Sequence, residues 1–404
     1  MPDGRDAIVI RVLQSIGEVS AAEWDACAGP DNPFVRHAFL AALEDSGSAT
    51  EKTGWLPQHL ALYDESDRLA GAVPLYLKGH SYGEYIFDWA WANAYERAGG
   101  RYYPKLQSCV PFTPATGPRL LIRPEAEGGG DRDATASALI GGLAELTRRH
   151  EVSSLHVTFP TEAEWRRFGE VGFLQRIGVQ YHWHNRGYGS FDDFLAALAS
   201  RKRKQIKRER RKAVESGLTI RALSGEEIEP RHWDAFFRFY LSTADRKWGQ
   251  PYLTRRFFDL LGAGLADSVV LIVAEQDGEP VAGALNLRGA DTLFGRNWGC
   301  VGHFKFLHFE LCYYQAIDYA IAHGLQWVEA GAQGEHKIQR GYEPRPIYSA
   351  HLIRDEGLHH AVEQFLEQER DSVRQEIAFL DEYRPFRRND ADRCDGEPPA
   401  GETP

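Results

Sequence analysis

The chain repeats itself at long range. IVIRVL ending at Leu13 returns as LTIRAL ending at Leu223, Trp24-Asp25-Ala26 as Trp233-Asp234-Ala235, and LAGAVPLYL around Gly71 as VAGALNLR around Gly283, at offsets of 210, 209 and 212 residues. Solenoid repeats run about 20–50 residues, so a period this long means that a whole domain has been doubled. A length of 404 residues leaves room for two domains of ordinary size. Each half runs strand, helices, two strands joined by a turn (Asp64 to Asp67, then Asp277-Gly278), an aromatic strand, a helix, an apolar strand and a closing segment that begins Gly-aromatic. Hairpins alternating with helices specify a mixed α/β sheet covered by helices, not a purely parallel doubly wound one. The predicted domains are 1–186 and 187–385. A tail over 386–404, polar and rich in Pro and Gly, is predicted to be disordered.

The densest polar cluster lies between Arg296 and Ile353. Leu307, Leu311, Tyr314, Ile317 and Ile321 recur at helical spacing, His323-Gly324 ends that helix, and LQWVEAG reads as a short strand. Directly after it, GAQGEHKIQRGY brings Gln333, Gly334, Glu335, His336, Lys337 and Arg340 together among glycines that free the backbone to approach a ligand. A second cluster is electrostatic. Residues 201–212, RKRKQIKRERRK, carry nine basic residues and one acidic one, a charge of +8 in a chain of −11, which leaves −19 for the rest. Continuing from FDDFLAALAS, this stretch is predicted as one long helix over 191–216, between the two copies. Two readings fit: a solvated face packed on an acidic body, or an anion-binding arm using Lys204, Lys207 and Arg211. No aromatics are interleaved, so phosphate contact is expected rather than stacking on single-stranded bases. In the first copy, the proline-held loop from Tyr102 to Pro118 shows Tyr103, Lys105 and Thr113 as either a substrate wall or an aromatic lid.

Other classes are disfavoured. No apolar run approaches the roughly 18 residues of a membrane span, and the acidic start differs from a signal peptide, so a cytoplasmic protein is expected. Five cysteines without CxxC spacing suggest neither a disulfide framework nor a zinc knuckle. His308 and Glu310 face different sides of a helix, and no metal site is expected.

The element order resembles the GNAT acyltransferase fold, and the tandem pair resembles the FemAB-like family of cell-wall peptidyltransferases. The likeness is carried by GEYIFDWAWANAYERAGGRYYPKLQSCVPFTPATG, SRKRKQIKRERRKAVESGL, and LHFELCYYQAIDYAIAHG followed by EAGAQGEHKIQRGY. It implies a tandem GNAT-like N-acyltransferase that moves an acyl or aminoacyl group to an amine, with a peptidoglycan precursor or cell-wall peptide as acceptor class. No tightly bound cofactor is implied; the donor, aminoacyl-tRNA or acyl-CoA, is a co-substrate, which makes tRNA a candidate partner. GCVGHFKFLHFE lacks the glycine spacing with which GNAT domains hold the pyrophosphate of CoA, and Phe304 and Phe306 stand where small residues would be needed. On this reading His336, Glu335 and Tyr314 are the catalytic candidates, since the attacking amine must lose a proton. Arg296, Trp298, His308, Glu310, Gln333, Gly334, Lys337 and Arg340 would bind substrate, with Tyr103, Lys105 and Thr113 from the first copy. The competing reading is a non-catalytic binding protein that recognises a cell-wall precursor or RNA.

Overall fold

The computed structural model describes residues 9–215, 217–246, 250–331 and 334–387, the side chains of Asp245, Arg246 and Glu335 excepted. In the first copy Val9–Leu13 pairs antiparallel with His59–Tyr63, and that strand with Leu69–Val73. In the second copy Leu218–Ser224, Val269–Gln276 and Glu279–Arg288 pair in the same order. The helices between first and second strands bury their apolar faces in a core shared by both copies, where the Phe39 and Phe257 rings meet edge-on at 5.8 Å. Their starts are set by hydroxyl caps: Ser20 accepts the Glu23 N–H and Thr254 that of Phe257.

Gly71 and Gly283 lie on corresponding strands, but the register differs by one from the motif alignment. Counting from the bulge near each turn, Gly71 opposite Leu62 corresponds to Ala282 opposite Ala274. The two glycines therefore point to opposite faces. A Cβ on Gly71 would meet Thr135 and Leu139, whereas one on Gly283 would meet Phe236.

The copies are interlocked by their last strands. Leu174–His184 of the first copy pairs with Trp327–Glu329 of the second, and Glu343–Ile353 of the second pairs with Ser154–Thr158 of the first. The two long strands pair with each other around Gly178 and Ile347, at the middle of an eleven-stranded sheet. A separate four-stranded sheet arises because the first hairpin bends at Pro57-Gln58 and Pro74-Leu75, where proline cannot continue the ladder.

Three expectations are corrected. The helix predicted over 191–216 is two helices, Phe191–Ala197 and Ser200–Val214. Between them Leu198 is extended and bridges Phe386, while Ala199 N–H reaches Pro385 O at 2.8 Å and Arg387 N–H reaches Ala197 O at 3.1 Å. Phe386 and Arg387, assigned to a disordered tail, are thus paired with this break; residues 388–404 lie outside the described set. The regular helix expected from Leu307 contains a π turn, Glu310–Tyr314, between Leu307–Phe309 and Gln315–Ala322. No helix among the described residues is long and apolar enough to cross a membrane.

Candidate active site

A cleft opens where two neighbouring strands part. Thr292–Cys300 runs parallel to Trp327–Glu329 for three pairs, the last being Phe294 with Glu329, and then diverges. Gly295 to Trp298 form one arm of the opening, and Ala330 and Gly331 begin the other. The cavity measures about 1070 Å³. One side is closed by His308, Cys312 and Tyr313 around the π turn, and by Gly334, His336 and Lys337 of the glycine loop. The opposing wall comes from the first copy, through Tyr85 to Phe87, Pro114 and Arg176 to Gln180.

The loop is shaped by glycine where glycine is needed. Gly334 has φ +119°, and a Cβ there would meet the His336 ring at 2.6 Å, so the missing side chain makes room for the imidazole. His336 Nε2 lies 2.9 Å from the Tyr313 hydroxyl. Burial, reinforced by Arg340 and Lys337, lowers the imidazole pKa below its ordinary value, so the ring is neutral at pH 7. Burial raises that of Tyr313, which keeps its proton. With Nε2–H donating to the Tyr313 oxygen, the neutral imidazole keeps the Nδ1 lone pair to accept a proton, and the phenol keeps its own O–H to donate. Lys337 is buried and donates to Gly331 O at 3.0 Å, which ties the short helix Glu335–Arg340 back to the strand end. Trp298 and His308 meet at 5.0 Å across the cleft.

Several expected site residues go elsewhere. Tyr314 is fully buried and donates its hydroxyl proton to Glu209, since the π turn presents Tyr313 to the cleft instead. Arg340 is no free anion binder: it pairs with Glu209 Oε2 at 3.0 Å, donates to His336 O at 2.9 Å and stacks on Phe309. Glu310 accepts from Arg210 at 3.1 Å and from Gln315 at 2.8 Å, behind the cleft. Lys105 is buried between Glu84 and Asp88, at 2.7 and 2.5 Å, and so is not on a substrate-facing surface. Tyr103 bonds Ser81 at 2.9 Å and does not line the cleft. Thr113 is buried beside cleft-lining Pro114 and accepts from Arg296 at 3.1 Å. Gln333 and the Glu335 side chain lie outside what is described. Lys204, Lys207 and Arg211 are exposed on the basic helix, where Lys207 reaches Asp192 at 3.2 Å and Arg211 reaches Glu215 at 3.7 Å. Gly299 is explained by packing: a Cβ there would lie 2.1 Å from the Phe239 carbonyl.

The sequence pattern of a family described as FemAB-like, peptidoglycan biosynthesis/recognition, matches residues 15–388. The chain belongs to the FemAB-like family. Among solved structures, FemX superposes with a TM-score of 0.54 at 12% identity, over 85% of this chain and 98% of that one. The C-terminal domain of a putative lysylphosphatidylglycerol synthetase from Agrobacterium fabrum gives 0.52 at 10%, over 88% and 97%. A conserved protein of unknown function from Bacteroides thetaiotaomicron gives 0.50 at 10%, over 86% and 100%. At such identities the likeness is one of fold. No curated protein matches the chain. The doubled α/β fold of mixed sheets expected from the repeat, with a basic helix between the copies, is the fold this FemAB-like chain has.

Sequence reasoning missed Tyr85, Gln180, Tyr240, Tyr252 and Tyr313 in the FemAB-like cleft. Tyr85 left a trace inside the GEYIFDWAWANAY motif, and its φ of +62° marks a bend. Tyr240 and Tyr252 left none, because they read as ordinary aromatics of a helix and a loop.

Proposed function

We propose that this FemAB-like chain is an N-acyltransferase that moves an acyl or aminoacyl group onto the amine of a peptidoglycan precursor or cell-wall peptide. The observation that carries this reading is the neutral His336 held by Tyr313 at the parting of two strands, within a cleft large enough for two reactants. The amine nitrogen attacks the acyl carbonyl carbon, forming the C–N bond and then breaking the ester C–O or thioester C–S bond. His336 takes the proton that the amine sheds and returns it to the departing oxygen or sulfur. The tetrahedral oxyanion requires donors, and Tyr313 and Lys337 line the same cavity.

The donor best supported is a polyanion such as aminoacyl-tRNA. The exposed basic helix offers Lys204, Lys207 and Arg211, whereas the helix that would cradle CoA phosphates starts after Phe306 at φ +64°, without a side-chain cap. Titrating the purified protein with charged tRNA, uncharged tRNA and acyl-CoA, then adding an amine-bearing peptide and following acyl transfer by mass spectrometry, tests both parts. Transfer from charged tRNA is the expected result. Transfer from acyl-CoA alone would change the donor, and binding without transfer from any donor would favour the non-catalytic reading.

A further inference from the structure

The floor of the cleft carries a positive charge that the protein does not neutralise. Arg296 sits at a β-bulge: Asn286 pairs with Gly295 and Leu285 with Asn297, which leaves Arg296 as the extra residue. A bulge breaks the alternation of a strand and re-aims a side chain. Arg296 Nη2 donates to the Phe112 carbonyl and to Thr113 Oγ1, the latter at 3.1 Å, and its guanidinium lies 5.4 Å from the Phe34 ring centre. A carbonyl, a hydroxyl and a ring face orient a cation without cancelling its charge. No carboxylate among the described residues pairs with it, while Arg176 in the same cleft forks onto Glu369 through two 2.7 Å bonds.

Two neutral donors line the same cleft. The Tyr240 hydroxyl accepts the N–H groups of Tyr252 at 2.9 Å and Leu253 at 3.2 Å. A phenol has one proton and two lone pairs, so with both lone pairs taken its O–H remains to be donated. Tyr240 and Tyr85 line the cleft with Arg296, are near enough to act on its charge, and keep their protons because burial raises their pKa values.

We propose that Arg296, Tyr85 and Tyr240 form a subsite for one carboxylate of the small substrate that enters the cleft. This rests on the acyl-transfer reading and deepens it: the amine acceptor must carry a free carboxylate. One uncompensated guanidinium with two neutral donors matches a single negative charge, and the planar fork fits a carboxylate. A nucleic-acid backbone would call for a row of cations, whereas Arg296 stands recessed, with Arg176 of the same cleft paired to Glu369 and Lys337 tied to Gly331 O.

The test is calorimetric titration of the full chain with an amine-bearing tripeptide that has a free C-terminal carboxylate, beside the same peptide as its C-terminal amide. The free acid should bind about tenfold tighter or more. Arg296→Gln should bring the two peptides to equal affinity, Arg296→Lys should restore part of the difference, and Tyr85→Phe should narrow it severalfold. Equal affinities in the unmodified protein, or a preference that survives Arg296→Gln, would overturn the subsite. So would an RNA oligonucleotide whose binding depends on Arg296 when that of the peptide does not. If Arg296→Gln fails to fold, the acid-amide comparison and Tyr85→Phe still decide. Binding needs no turnover, so the two proposals fail separately. A chain that prefers the acid but never acylates it keeps the subsite and loses the reaction, and one that acylates acid and amide alike does the reverse.

Discussion

Glu209 joins the basic helix to the loop that carries His336, and neutralising it should loosen both. Its Oε2 takes Arg340 Nη2 at 3.0 Å and the Tyr314 hydroxyl, and its Oε1 takes Gln205 at 2.9 Å. Side-chain exposure is 6% for Arg340 and 3% for Glu209, so neither charge is repaid by water. Glu209→Gln keeps the volume and an acceptor but leaves the guanidinium without a counter-charge. Breaking a buried pair from one side costs about 3–5 kcal/mol; the retained acceptor puts the expectation near the lower end, about 3 kcal/mol. Arg340→Met alone strands the carboxylate and should cost a similar amount. The double variant removes both charges and should lose far less than the sum, with a coupling of about 2 kcal/mol or more in a double-mutant cycle from urea unfolding. Arg340 Nη1 also holds His336 O at 2.9 Å, so hydrogen exchange over 335–340 should quicken in Glu209→Gln under conditions where the rest of the chain stays protected. A loss below about 1 kcal/mol, the range of solvent-exposed pairs, or strict additivity in the cycle, would refute the reasoning.

Replacing His336 by Ala should slow transfer by roughly a hundredfold with little change in acceptor affinity, and near-normal turnover would remove it as proton acceptor. Because burial lowers its pKa, the basic form persists to below pH 6.5; the acidic limb of the rate profile should fall there and disappear in the variant. Changing Lys204, Lys207 or Arg211 to Gln should each flatten the dependence of log affinity for tRNA on log salt by about 0.7–0.9, and unchanged slopes would leave only a solvated face. Burial pushes the Glu329 carboxyl from 4.5 up to about 8, so the folded chain holds a proton that the unfolded chain releases, and stability should decline as pH rises across that interval. Glu329→Gln should remove a decline on the order of 5 kcal/mol, read from urea midpoints between pH 5 and 9; an identical decline in the variant would place the titrating group elsewhere.

What the sequence displayed was periodicity and charge, and what it concealed was partnership. The repeat and the hairpin order could be read because strand and helix patterns are local. The exchange of last strands could not, since Leu174–His184 has the same pattern whether it pairs within its copy or with Trp327–Glu329 of the other. Tyr314 shows the same division: its place among Leu307, Leu311 and Ile317 fits a core position, and the structure buries it, yet the acyl-transfer reading had assigned it to the cleft. Arg340 seemed free because its counter-charge lies 131 residues earlier. Arg296 is the converse. It stood among aromatic and polar neighbours with no sign of a missing partner, and only the bulge and the doubly accepting Tyr240 reveal a cation and a donor awaiting an anion. Of the two arginines that looked alike in the sequence, the one in the glycine loop holds that loop in place, and the one on the bulged strand has charge left for a ligand.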